Sequence, residues 1–315
     1  MRRREFLATL GLLPFVPYAC AQRRPILALA TADTESHVAV LDAANGRVRA
    51  RVATVEEPRS IEAAGRPAVV AHTNSGALTL LEGPPVRVRR VLRGMGEPRY
   101  TGVAPDGIHA YVTDSARGEL IVLDLERGRV VGGGEVGALA RHVTIAPDGR
   151  TAWVALGSKA PAVAVVDLSR PRRPRVRATM HPPFLAHDVA CSPGGRRLWI
   201  SSGDRSRLAL YRPGSTHPLA VLNAGLPPQH VSFGGGRTYV ASGDDGSLQV
   251  QRTSDGHRLA RTAVAKGSYN VQHGAGLVIT PSLDDGTVTI AGESGHILSR
   301  TKIAPAAHDA CLIEA

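Results

Sequence analysis

The sequence predicts an all-β fold, a seven-bladed β-propeller whose ring is closed by a C-terminal strand joining the N-terminal blade. Three observations lead there. The stretch Arg141–Gly157 (RHVTIAPDGRTAWVALG) alternates apolar residues on both sides of a Pro147-Asp148-Gly149 turn, which marks a hairpin. Intact or degraded copies of it open at Ser60, Tyr100, His142, His187, His230, Asn270 and His308, in steps of 38 to 45 residues. That period, with only strand and turn chemistry inside it, is the period of a propeller blade. Thirty-four glycines and 22 prolines, with few helical patterns, suit many short strands joined by turns.

Taken in order, the chain opens on a targeting segment. Arg3-Arg4-Glu5-Phe6-Leu7 has a twin-arginine pattern, Ala8 to Val16 gives a short apolar run, and Ala19-Cys20-Ala21 offers a small-x-small cleavage site. Residues 1–21 are therefore expected to be a twin-arginine-type signal peptide, and 22–315 a single propeller domain. The expected location is periplasmic or extracellular, with a lipid anchor at Cys20 as the alternative. The apolar run is too short to span a membrane, so the mature chain is expected to lack a transmembrane span and to be a monomer. PILALATAD and HVAVLDAANGRVRARVATV then supply the second, third and fourth strands of a blade that lacks a first. Ala306 to Ile313 supplies a first strand with nothing after it, and joining the two completes the ring without open edges.

Each intervening blade repeats four parts. After Tyr100, VAPDG ends strand one, AYVTD is strand two, ELIVLDLERG is strand three with its turn, and RVVGGGEV is strand four. Tyr111-Val112-Thr113-Asp114 resembles the tetrapeptide of the YVTN-type β-propeller repeat family, and Ala104-Pro105-Asp106-Gly107, Ala146-Pro147-Asp148-Gly149 and Ser192-Pro193-Gly194-Gly195 resemble its hairpin turn. The resemblance covers about residues 26 to 315. It is specific for fold and not for function, since such propellers serve as binding proteins, cofactor holders and some enzymes. Gly234-Gly235-Gly236 and Gly274-Ala275-Gly276 depart from the turn and should give shorter hairpins. Some propellers of this kind carry copper or tetrapyrrole sites on hub histidines, which the resemblance extends to this chain as an analogy.

The net charge of +11 falls to about +9 without the leader, and only Lys159, Lys266 and Lys302 are lysines. Basic residues form no long block and aromatics make up 4% of the chain, which weakens a stacking platform for single-stranded nucleic acid. The charge admits an acidic ligand. Cys191 and Cys311 fall on inner strands of blades three apart, so a disulfide between them is not expected. Gly132-Gly134-Gly137 satisfies GxGxxG formally but has no helix after it. Asp244-Asp245-Gly246 and Asp284-Asp285-Gly286 lack the alternating oxygen ligands of a calcium loop and read as turns.

The residues opening the innermost strands should ring one mouth of the central channel. Four of these seven are histidine, His142, His187, His230 and His308, where composition would supply about a quarter of one. Converging neutral imidazoles suit a transition metal such as copper, zinc or iron, and a tetrapyrrole is the alternative cofactor. Asp188 and Asp309 follow two of them and are candidates for orienting the rings. Arg59, Arg99 and Arg141 precede hub positions, and with Tyr100 and Asn270 they form a candidate ligand-binding set for an anionic group. The expected function is a binding protein for a metal or small molecule. A hydrolase- or lyase-type enzyme using one hub histidine as base, or a non-catalytic scaffold or nucleic-acid binder, stand as alternatives. Whether the chain is an enzyme stays open at this stage.

Overall fold

The computed structural model describes residues 25–64, 68–227 and 229–314. The twin-arginine segment and Cys20 lie outside the described residues. Among these, 28 strands form seven four-stranded antiparallel sheets, with no helix. The protein is a seven-bladed β-propeller. The first blade is composite: Ala307–Glu314 forms its innermost strand against Ile26–Ala32, followed by His37–Asp42 and Val48–Ala53. The C-terminal strand therefore closes the ring.

Burial follows position in the blade. The second strands, such as Thr151–Ala155 and Leu198–Ser202, are buried throughout, because adjacent blades cover both of their faces and leave no polar side. The outermost strands, such as Ile297–Lys302, alternate or are largely exposed. Arginines on Arg87–Arg93 and Arg175–Met180 discourage pairing at these free edges. The core is divided into seven apolar clusters, each shared by two neighbouring blades. Trp153 and Val165 of blade 4, for example, pack with Ile200 and Tyr211 of blade 5.

The turn chemistry follows the residues. In the Pro-Asp-Gly hairpins the glycine takes φ +67° at Gly107 and +70° at Gly149. The two departing blades turn in two residues with both φ positive, Gly235-Gly236 and Ala275-Gly276, which is the tighter primed turn. The GxGxxG run has a packing role. A Cβ at Gly132 would collide with the carbonyl oxygen of Arg172, and one at Gly134 with that of Pro174, so both glycines let blade 4 lie directly on the outer strand of blade 3. Gly132→Ala should lose about 1–3 kcal/mol in denaturant unfolding, the usual cost of overpacking. Gly194→Ala is the control, since nothing lies within 4 Å of its added methyl.

Hydroxyls on second strands clasp the next blade's hub strand. Thr113 Oγ1 donates to the Arg141 carbonyl at 2.6 Å, and Ser201 Oγ to that of Gln229 at 2.6 Å. Two aspartates do the same from the hub itself. Asp188 accepts the Val189 N–H at 2.7 Å and the Val231 N–H of the next blade at 2.9 Å. Asp309 accepts the Ala310 N–H at 2.9 Å and the Ile61 N–H at 3.0 Å. These clasps fix how closely the hub strands approach, and hence how closely their opening residues converge.

Candidate metal centre

The hub strands deliver His142, His187 and His230 from blades 4, 5 and 6 to one point on the axis. Each offers a ring nitrogen, and these three atoms lie within 4.8 Å of one another. The ring centroids are 4.6–4.8 Å apart, and His187 Nε2 is 3.0 Å from His230 Nε2. These two nitrogens are in hydrogen-bond contact, close to the separation of about 3.3 Å between two nitrogens on one tetrahedral zinc at its usual bond length. Tyr100 packs against His142 with centroids 4.0 Å apart.

The histidines are not at an open mouth as the sequence suggests. All three are buried, because the seven hub strands converge at this level and their side chains plug the channel. Burial sets their protonation. Desolvation holds His142 and His230 well below the ordinary imidazole range and His187 at about 4. The neighbouring imidazoles lower His142 and His230 further, and the Arg141 guanidinium lowers all three. At neutral pH they are uncharged and carry lone pairs. His187 Nδ1 meets the Ser158 carbonyl at 2.9 Å. That carbonyl only accepts, so Nδ1 carries the proton and Nε2 faces the other rings as a donor atom. Neither ring nitrogen of buried His142 has a hydrogen-bond partner among the described residues, and an orphaned buried polar pair of this kind calls for an occupant or a cost.

The other candidates fall elsewhere. His308 stands outside the cluster, its Nδ1 donating to the Arg59 carbonyl at 2.8 Å. It enters from blade 1, and blade 7, whose Asn270 donates to the His308 carbonyl at 2.8 Å, lies between it and His230. Asp188 and Asp309 do not orient the rings that precede them, since the inter-blade clasps take both carboxylates. Asp188 comes 3.8 Å from Nδ1 of the neighbouring His230 instead. Of the arginines, Arg59 pairs with Asp33 at 2.8 Å and Arg99 with Glu97 at 3.1 Å. Arg141 makes no ion pair among the described residues and sits 5.8 Å from the Tyr100 ring centre, with its buried Nε unpartnered.

Below the imidazoles the hub encloses a cavity of about 310 Å³, lined by His142 and His230 at one end and by Pro193 of a hairpin turn at the other. Its polar lining includes Glu62, Asp188, Asp309, Gln272 and Thr101, of which the sequence pattern points only to the two aspartates. Gln272 Nε2 donates to Glu62 Oε2 at 2.7 Å, while desolvation raises Glu62 to about 7 and Asp188 to about 6. Glu62 was legible only as the second residue after a hub position, on the inward side of the strand.

Among the described residues no helix is long and apolar enough to cross a membrane. Cys191 and Cys311 are free thiols. No family model matches the chain, and no curated protein matches it significantly. Solved structures do. A functionally unknown protein from Desulfotomaculum acetoxidans has a TM-score of 0.79 at 9% identity, covering 91% of this chain and 99% of that one. AztD from Citrobacter koseri gives 0.70 at 11%, covering 93% and 98%. Kuenenia stuttgartiensis hydrazine synthase gives 0.67 at 16%, covering 80% and 88%. At these identities the likeness carries the architecture alone: this chain is similar to all three in being a β-propeller.

Proposed function

We propose that the protein is a metal-binding propeller of the YVTN type, exported as a monomer, in which His142, His187 and His230 hold one borderline first-row ion such as zinc or copper. The observation that carries the reading is the buried cluster of three uncharged imidazoles, with both nitrogens of His142 left unpartnered. Three neutral nitrogen donors beside a cavity make an open-sided site, with a position left for water or a small ligand. Rings this close suit a single ion held between them. His187 would bind through Nε2, its proton held by the Ser158 carbonyl. His230 would bind through Nε2 once its proton moves to Nδ1, on the side of Asp188. The bound ion would supply Lewis acidity or a redox centre, and the chain supplies the donors, their tautomers and a buried setting.

Elemental analysis and metal titration test this on protein exported natively and purified without chelator or affinity histidines. One zinc or copper per chain is expected. His187→Ala/His230→Ala should lose on the order of ten-thousandfold in affinity, on the scale of about 3 kcal/mol per ligand in structural zinc sites. Protein that is metal-free and refuses added zinc, copper and cobalt would defeat the reading.

A further inference from the structure

The two ends of the hub carry titratable groups of opposite kind, with Arg59 and Arg99 ion-paired and Arg141 free of an ion pair among the described residues. On one side of the imidazoles stand the guanidiniums of Arg59, Arg99 and Arg141, each one residue ahead of a hub position. On the other side lies the cavity with Glu62, Asp188 and Asp309. We propose that this cavity is the path by which a metal cation reaches His142, His187 and His230, entering at the hairpin-turn face and passing Glu62. The inference rests on the metal-binding reading of the same cluster and adds its route and the residue that serves it.

Four observations support the path. The cavity is continuous from His142 and His230 to Pro193, which is exposed on the hairpin-turn face. Its accessible lining is more polar than apolar. Thr101 and His142, which line it, each carry buried side-chain polar atoms without a hydrogen-bond partner among the described residues. Among the three carboxylates only Glu62 is available. Asp188 and Asp309 each spend both oxygens on backbone N–H groups, whereas Glu62 is held by the side-chain amide of Gln272 through one oxygen. A cation shedding its waters in a low-dielectric channel is drawn by a carboxylate and repelled by guanidiniums, and narrow walls focus that field. Arg141 lies 5.8 Å from the Tyr100 ring centre and lowers all three imidazole pKa values, so its charge opposes a cation at the cluster.

Stopped-flow association of Co²⁺ or Zn²⁺ alone with the full chain, with dissociation into excess chelator, tests the route. Glu62→Gln should slow association and dissociation alike, on the order of tenfold, leaving Kd within about twofold, because a way station lowers one barrier crossed in both directions. Glu62→Asp should recover much of the rate. Slower association with faster dissociation would mean that Glu62 acts only as a distant field, and it would overturn the path. Unchanged rates in Glu62→Gln would overturn it too, and faster association in Arg141→Gln would then put the entrance at the arginine end. The wild-type chain gives a reading that needs no variant: its association rate falls with ionic strength if the ion passes the carboxylates and rises if it passes the guanidiniums. A wild-type chain that binds neither ion removes the metal site itself, which separates failure of that reading from failure of the route.

Discussion

A chain ending at Ile303 should not fold cooperatively. The strand it would lack, Ala307–Glu314, pairs with Ile26–Ala32 and is the hub strand of the first blade. Its buried Ala307 and Ala310 complete the cluster shared with blade 7, and its Cys311 and Ile313 complete the one shared with blade 2. Asp309 clasps the Ile61 N–H across that second boundary. Losing the strand opens two of the seven core clusters, breaks a ladder and leaves Ile26–Ala32 as a bare apolar edge. Burial of each larger side chain is worth about 1.5–3 kcal/mol. Several of them, with the ladder and the clasp, reach the roughly 5–15 kcal/mol that holds a whole domain together. The expected result is aggregation or a broad, dye-binding collapsed state in place of a sharp thermal transition. A truncated chain that still melts sharply within a few degrees of the full one would show that six blades hold the ring without this clasp.

That strand also shows how far the sequence could be read. Its pairing followed from counting: a blade without a first strand at one end and a first strand without a blade at the other. The Pro-Asp-Gly turns and the YVTD-like tetrapeptide were legible because turn φ values and strand alternation are local requirements. Convergence on the axis was half legible. Equivalent positions in seven blades form a ring, and periodicity alone cannot say which members of a ring touch. His142, His187 and His230 meet because their blades are consecutive. His308 is one blade removed and turns to the Arg59 carbonyl instead. The aspartates after His187 and His308 read naturally as partners of those rings. A strand, however, points successive side chains to opposite faces, which sends each carboxylate to the neighbouring blade's backbone. Glu62, Thr101 and Gln272 carried no signal of their own, because a polar residue on an inner strand gains meaning only once the cavity it faces is known.

Replacing His142 with leucine should make the metal-free protein more stable and the metal-treated protein less so. The imidazole is buried with two polar nitrogens that find no partner, and each such group costs about 1–3 kcal/mol relative to an apolar one. A gain of about 1–3 kcal/mol at pH 7 in the presence of chelator is therefore expected from denaturant melts. The pH dependence carries the same sign. Desolvation, with His230, His187 and Arg141 nearby, places the folded pKa of His142 well below 6.5. A group of this kind contributes nothing adverse above about pH 6.5, and stability falls as pH drops below that value, because the unfolded chain takes up the proton and the folded one does not. His187, held at about 4, together with His230 and His308, adds to the loss in the same window. The leucine variant lacks one of the four, so its advantage over wild type should widen by up to about 1.4 kcal/mol per pH unit below 6.5. Metal reverses the order. At a thousand times Kd a bound ion adds about 4.1 kcal/mol to the wild type, more than the leucine gain, and it adds little to a variant that has lost one of three donors. A histidine kept for packing would give the opposite pattern, a loss on substitution that metal does not alter. Stability lines that cross on adding zinc identify His142 as a residue held in the core for its ligand.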